Sequence, residues 1–509
     1  MCLLPHYPKE LVAESYDYML ELKGLLLRTS ERTRRAIRNS GDAELVAALD
    51  SLDNLNAQFK QTELNTGLKG NFSVTPEAMQ LRTAIERLER DINRRSASLI
   101  DQTDTIPHWR DVQRALHSGE AAIEYVLTDS LTAALVLLPD ESSPHFVSLI
   151  KTQPLLDALT AMETMGSKSR AEELYLSDAL NLYQRLWDPL LPYLKNVRII
   201  YFSPTAYLNS LAFAAFRTPD GRPLMDLYEL HQVSSTADVL CHSRSSALPS
   251  DALLVGGVFY SPEQEQLAQQ LSQRKQEDDK NQERGAIMDE DEEFGFLEYT
   301  MPEVQDVECI MENAHIDVKV LSGFTSTEPS LQSISGHSPE ILHLSTHGFF
   351  VATDEAVSKN KFLARFPGMR FSSMQRTGLA LTDANAAWQG ELLPEEADGI
   401  LTANEVALLD LSKTRLAVLS ACQTANGLYS MDGVYGMHRG FKQAGVKSVL
   451  ATLWNVNDQS TAEMMNLFYS KWLGGETMQQ AFHEAIQKLR ERYPSPFYWA
   501  AFILLDALD

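Results

Sequence analysis

The sequence predicts an α/β fold, a mostly parallel central sheet flanked by helices and preceded by an α-helical N-terminal arm, and three features carry that reading. From about Glu10 to Leu99 the chain is rich in Leu, Ala, Glu, Arg and Gln at helical spacing, as in ELVAALDSLDNLNAQF and MQLRTAIERLERDI. From Ala121 the period changes to short β-branched runs, AIEYVLT, LTAALVLLP and HFVSLI, bounded by Asp, Ser or Pro. Toward the carboxyl end, EILHLS, RLAVLSA and KSVLATLW are continuous apolar runs separated by helical or irregular stretches. Continuous apolar character is what strands buried on both faces of a parallel sheet require.

Taken in order, the arm contains a basic stretch, Arg28, Arg32, Arg34, Arg35 and Arg38. It could meet an acidic partner, but a solvated helix face is the expectation and no site is assigned there. The three short runs after Ala121 read as a meander of strands. A long helical pattern, EELYLSDALNLYQRLWDPLLPYL, leads into the buried strand VRIIYFSP, and helix followed by strand points to a layered α/β arrangement. DALLVGGVFY is a second such strand. Between about Glu263 and Glu293 the composition turns to QQLSQRKQEDDKNQERGAIMDEDEE, too charged and too poor in aromatics to bury much surface, and reads as a loop.

Composition narrows the functional classes. A chain of 509 residues that is 44% hydrophobic can bury a sizeable core. No stretch approaches a membrane span, and the start MCLLPHYPKELVAESYDY lacks the basic and long apolar regions of a secretory leader, so the expected compartment is cytoplasmic. A formal charge of −25 disfavours direct nucleic-acid binding. The four cysteines, Cys2, Cys241, Cys309 and Cys422, have no CxxC spacing, so neither a disulfide framework nor a zinc ribbon is expected. Neither GxxxxGK[ST] nor GxSxG occurs. No cofactor or metal is expected.

Ligands in open α/β sheets collect beyond the carboxyl ends of the strands. The three apolar runs are followed there by Thr346, His347 and Gly348, by Cys422 and QTANG, and by Asn455, Val456, Asn457 and Asp458. A cysteine nucleophile needs its thiolate, and an imidazole is the usual means of activation. His347 and Cys422 fit that need. Gly348 lets the backbone approach a substrate closely and can aim an N–H at a developing oxyanion, with the Cys422 N–H as a second donor.

HLSTHGFF followed by LAVLSACQTANG resembles the His and Cys motifs of the CHAT family, clan CD relatives of caspases and separase. GVYGMHRGFKQAGVKSVLATLWNVND and SPFYWAAFILLD resemble that family's later helix, third strand and closing strand, and FSPTAYLNSLAFAAF its earlier half. The resemblance implies a caspase-like (caspase-hemoglobinase) fold in three parts: a helical region over 1–115, the N-terminal, pseudo-caspase-like half of a CHAT domain over 116–250, and its catalytic half over 251–509. LKGLLLRTSERTRRAIRNSGDAELV resembles the stretch that, in many CHAT proteins, links tetratricopeptide repeats to the peptidase domain; the repeats are absent from this sequence.

The resemblance implies a cysteine endopeptidase: Cys422 as nucleophile, His347 assisting proton transfer, Gly348 and Cys422 as oxyanion donors, and an acyl-enzyme intermediate on a protein substrate. Asp458 lies in LWNVNDQST, which resembles the position where separase-type members place an acid for a basic side chain, and that resemblance implies cleavage after Arg or Lys; Asp432 in YSMDGVYG is a second candidate. An unrestrained cytoplasmic endopeptidase would damage its host, so a regulatory or activating partner acting through the helical region is expected, and the family's links imply a role in bacterial defence or programmed cell death.

Each assignment has a plainer alternative. Cys422 alone would be a small buried hydrophobe; its pairing with His347 in two motifs favours catalysis. Asp458 could be the N-cap of the helix QSTAEMMNLFYSKW. His343 inside EILHLS reads as a packed core histidine, because HLSTH lacks the helical placement and the Glu of a metal pair. Cys241 and Cys309 read as structural, and Cys2 as exposed. Arg274, Lys275, Lys280 and Arg284 in the charged loop would suit self-cleavage, against an inert surface insertion. A CHAT-like scaffold without catalysis is the alternative for the whole chain.

Overall fold

A computed structural model of the chain describes residues 7–52, 55, 58, 76–96, 107–162, 165–177, 180–241, 247–273, 293–351, 353–364, 372–391, 398–421, 424, 427–430 and 433–508. Helix α1 (Lys9–Asn39), a helical stretch at 43–52 and helix α2 (Pro76–Ser96) form the arm that the Leu/Ala/Glu-rich period predicts. Ile37 meets Leu45, Leu49, Leu52, Ile85 and Ile92 in a small core of the arm's own. The other end of α1 packs Val12, Tyr16, Met19 and Leu20 on Trp109, Val112, Leu135, Leu137 and Tyr201.

Helix α1 also carries a buried charge into the body of the fold. Lys23 Nζ lies 2.8 Å from Glu124 Oε2, with side chains 2% and 0% exposed. It also donates to the Ser203 carbonyl (2.7 Å), the Ser203 hydroxyl (2.9 Å) and the Pro204 carbonyl (3.2 Å). Burial pulls the Lys23 ammonium below the ordinary lysine range, with Glu124 opposing. Arg38 departs from the expected solvated face: its Nη1 reaches Asp410 Oδ2 at 3.0 Å. Besides the packing of its first turns, α1 is therefore tied to the sheet-bearing body by ion pairs at two separate places.

The strands are β1 (Glu120–Leu127), β2 (Thr132–Leu137), β3 (His145–Ile150), β4 (Ile199–Ser203), β5 (Glu229–Gln232), β6 (Asp251–Val258), β7 (Asp317–Gly323), β8 (Ile341–Ser345), β9 (Gly348–Phe350), β10 (Thr377–Ala380), β11 (Ile400–Thr402), β12 (Leu416–Ser420), β13 (Gly427–Ser430), β14 (Gly433–Gly436), β15 (Ser448–Thr452) and β16 (Phe502–Leu505). Eleven of these described strands form one sheet in the order β3-β2-β1-β4-β5-β16-β15-β12-β8-β6-β7. The meander β1-β2-β3 is antiparallel, as short runs bounded by Asp, Ser or Pro predict. β16 runs antiparallel to β15, and every other neighbouring pair is parallel. The α/β class, the mostly parallel sheet and the helical arm thus agree with the sequence reading. Strands β8, β12 and β15 are buried along their whole length, which is why their apolar runs are continuous.

Helices α3 (Thr300–Asn313), α4 (Met437–Gln443), α5 (Asp458–Trp472) and α6 (Met478–Arg492) pack around the carboxyl-terminal part of the sheet. A close approach places α3. A Cβ on Gly256 of β6 would lie 2.6 Å from both the Thr300 carbonyl oxygen and Val304 Cγ2, so only glycine lets the helix sit this near.

Three local expectations need correction. The pattern read as one long helix is broken into Ser167–Tyr175, Leu182–Leu186 and a 3₁₀ turn at Asp188–Leu190, because Asn181 turns left-handed (φ 43°) and caps the second piece. The charged loop begins with a helix, Gln264–Gln273, whose Gln, Leu and Ala favour that state; Arg274, Lys275, Lys280 and Arg284 lie outside the described residues. Cys241 and Cys309 are exposed rather than small buried groups. Cys2 lies outside the described residues. Among the described residues no helix is long and apolar enough to cross a membrane.

Candidate functional site

His347 follows β8 by two residues and sits where that strand gives way to the small antiparallel sheet β11-β10-β9. Its backbone is held from both sides. Ala380 N–H donates to the His347 carbonyl at 2.9 Å, Thr346 Oγ1 donates to the Ala380 carbonyl at 2.6 Å, and Tyr260 Oη lies 2.8 Å from Thr346 Oγ1. His347 is 6% exposed, with the rings of Tyr260 and Phe294 at 5.1 and 5.5 Å from its imidazole. Its Nε2 lies 2.7 Å from the Gly295 carbonyl oxygen. A carbonyl only accepts, so Nε2 carries the proton, and in the neutral ring the basic lone pair belongs to Nδ1.

Gly348 opens β9 opposite Leu379. The ladder bonds on this edge run from Ala380 to the His347 carbonyl and from Val351 to the Arg376 carbonyl. Gly348 is out of phase with both, so its N–H faces away from β10. Cys422 and Asp432 lie outside the described residues. The strand before Cys422 is described: β12 is a parallel neighbour of β8, with Ser420 paired to Ser345. His347 and Cys422 are each two residues beyond that last paired position. Adjacent strands lie about 4.8 Å apart.

Asp458 is 1% exposed, and its Oδ2 accepts from Tyr299 N–H at 3.0 Å. It is the first residue of α5 and not its cap; the cap is Asn457, whose side chain accepts from Ser460 N–H at 3.0 Å. The segment Phe294–Tyr299 therefore touches both His347, through Gly295, and Asp458, through Tyr299. Phe294 is anchored by Asn385, which accepts from its N–H at 2.6 Å and donates to its carbonyl at 3.0 Å.

His343 is a fully buried strand histidine, as expected, but it is more than packing. Its Nε2 donates to Glu303 Oε1 at 3.0 Å, and its Nδ1 lies 3.2 Å from the Tyr469 hydroxyl. Both ring nitrogens are thereby engaged. Glu303, on α3, also accepts from Ser420 Oγ at 2.6 Å and is 0% exposed. Burial, and after it the Glu303 charge, holds the Tyr469 phenol well above the ordinary tyrosine range. Sequence reasoning missed Tyr260, Gly295, Glu303 and Tyr469. Their only signal was position, at the end of β6, at the close of the charged stretch, and on the helices beside β8.

Comparison with known proteins bears on the whole arrangement. A model of the CHAT domain matches residues 177–507. The chain is 34% identical to tetratricopeptide repeat protein 28 of Mus musculus over 110 residues, which is 21% of this chain and 4% of that protein's length. Solved structures similar to it include the Arg-specific cysteine proteinase gingipain R (TM-score 0.37, 8% identity, 69% of this chain and 70% of that one). Another is the separase–securin complex of Saccharomyces cerevisiae (TM-score 0.34, 10% identity, 91% of this chain and 27% of that one). The domain model covers more than half of the sequence and includes every strand from β4 to β16, and on that ground the chain belongs to the CHAT domain family.

Proposed function

We propose that this protein is a cysteine endopeptidase in which His347 and Cys422 act as a pair. The observation that supports it most is the state of His347. Its Nε2–H is spent on the Gly295 carbonyl, so its basic nitrogen is Nδ1, and its strand lies beside the one that leads to Cys422. In this reading the Cys422 thiolate attacks the scissile carbonyl carbon, and the developing oxyanion takes hydrogen bonds from the N–H groups of Gly348 and Cys422. The proton given up by the thiol is held on His347 Nδ1, and the imidazolium passes it from there to the leaving amine as the C–N bond breaks. Water then adds to the thioester, the C–S bond breaks, and the acid product leaves with the thiol restored.

Asp458 is the proposed acid for a basic side chain before the scissile bond, with Asp432 as the second candidate. Its contact with Tyr299 means that the Phe294–Tyr299 segment must yield for such a side chain to reach it. Control by a partner or signal through the helical arm belongs to the same proposal, and so does self-cleavage in the charged stretch. A diverse peptide library incubated with wild type and with Cys422→Ala, every new terminus identified by mass spectrometry, tests the reading. Cysteine-dependent cuts after Arg or Lys are expected. Cuts after other residues would remove Asp458 from the pocket, and cuts that persist in Cys422→Ala would overturn the mechanism. The second reading, a CHAT-like scaffold without catalysis, predicts no cysteine-dependent cuts at all.

A further inference from the structure

Glu303 is a buried group beside the site that this mechanism leaves unused. Its Oε1 accepts from His343, in the middle of β8, and from Ser420, the last residue of β12. These strands are neighbours, with His343 paired to Val418 and Ser345 to Ser420. Beyond the last paired residues no ladder bond sets how far one strand end projects past the other. The carboxylate therefore bridges the strands that lead to His347 and Cys422 at the level where the backbone ladder stops. Its helix, α3, follows directly on the segment that touches His347 and Asp458, and His343 passes the connection on to Tyr469 of α5, the helix that Asp458 opens.

Stability alone does not account for such a group. A buried ionised side chain is often matched or bettered by an apolar replacement, and what it adds is a fixed arrangement of the donors it collects. We propose that Glu303 is a positioning residue, holding the ends of β8 and β12 at the relative height that the His347 and Cys422 pair requires. The proposal rests on the peptidase reading for the chemistry it serves.

The test compares Glu303→Gln, which keeps the volume, Ser420→Ala, which removes one of its donors, and the double variant. For Glu303→Gln, kcat for peptide cleavage is expected to fall on the order of 10–100-fold with KM within about twofold, the cost of a small misplacement of reacting groups. Ser420→Ala should fall less, and the double variant no further than Glu303→Gln. The rate at which iodoacetamide labels Cys422 should fall in step. A lower melting temperature with kcat and labelling rate of the folded protein unchanged would mean a merely structural role and overturn the proposal. If Glu303→Gln does not fold, Ser420→Ala decides by the same two rates. If wild type labels Cys422 faster than the exposed Cys241 and Cys309 yet cuts no peptide, the peptidase reading fails separately. In that case a slowed labelling rate in Glu303→Gln still supports positioning, and an unchanged one refutes it.

Discussion

Replacing Lys23 with Met should destabilise the whole chain, because the arm is built into the fold by a buried charge. At 2.8 Å and an effective dielectric of about 20, the Lys23–Glu124 pair attracts by roughly 6 kcal/mol before desolvation is subtracted. Taking both charges out of water cancels much of that, so the informative quantity is the loss when one partner goes, about 3–5 kcal/mol for a buried pair. Here the lower end applies. Glu124 keeps two hydrogen bonds at 2.7 Å, from the Thr236 N–H and the Thr236 hydroxyl, which continue to shelter its charge. Lys23→Met is therefore expected to lose about 3 kcal/mol. Lys23→Met with Glu124→Gln should recover all but about 1–2 kcal/mol, the remainder being the Ser203 and Pro204 carbonyls left without their donor. Urea unfolding followed by circular dichroism reads both as shifts of midpoint at constant slope. A loss below about 1 kcal/mol in the single variant, or a double variant no better than the single, would refute the account of α1 as an internal element.

Three further outcomes follow from the same structure. Arg38→Ala removes an ion pair whose side chains are 23% and 12% exposed, so its urea midpoint should reflect a loss of no more than about 1 kcal/mol; a loss as large as that of Lys23→Met would contradict the contrast drawn between the two anchors. Gly256→Ala would set a methyl group 2.6 Å from the Thr300 carbonyl, which should lower the melting point by the equivalent of about 1–3 kcal/mol and slow alkylation of Cys422 as α3 shifts; an unchanged melting point would show that α3 is not held so close. His438, on α4, has its imidazole pushed down from 6.5 to about 4, by burial first, with the Arg439 guanidinium acting in the same direction. Above pH 6.5 both the folded and unfolded chains leave it neutral; between 6.5 and about 4 only the unfolded chain takes the proton, so stability should fall with pH across that window, by roughly 2–3 kcal/mol at its lower end. Urea midpoints measured from pH 7 to 4 should fall less steeply in His438→Asn, and equal slopes would sink the assignment.

The parts of the fold that could be read from the chain are those whose burial leaves a period or an unbroken run. EILHLS, RLAVLSA and KSVLATLW became β8, β12 and β15 because each is covered on both faces. The small sheet β9-β10-β11 left no such trace: its strands are three and four residues long, GFF, TGLA and ILT, too short for any periodicity to register. The break between Tyr175 and Leu182 was hidden because the apolar spacing resumes beyond the left-handed Asn181. At the site, His347 was legible because it follows a buried strand. Its partner Gly295 was not, since what holds the imidazole is a backbone carbonyl, which no side-chain pattern announces. Glu303 was hidden for a related reason. In TMPEVQDVECIMEN it is one of four acidic residues on a helix, and only the packing of α3 on β6 and β8 makes it the buried one.

The most direct test of the central claim is to map where an activity-based probe attaches. A peptidyl acyloxymethyl ketone with Arg next to the reactive carbonyl forms a thioether only with a nucleophilic cysteine that lies beside a substrate site. The chain supplies its own controls, the exposed thiols Cys241 and Cys309. Peptide mapping by mass spectrometry should place the adduct on Cys422 in wild type and find it lost in His347→Ala, with Cys241 and Cys309 unmodified in both. Equal modification of all three cysteines, or labelling of Cys422 that survives the loss of His347, would contradict the proposed pair.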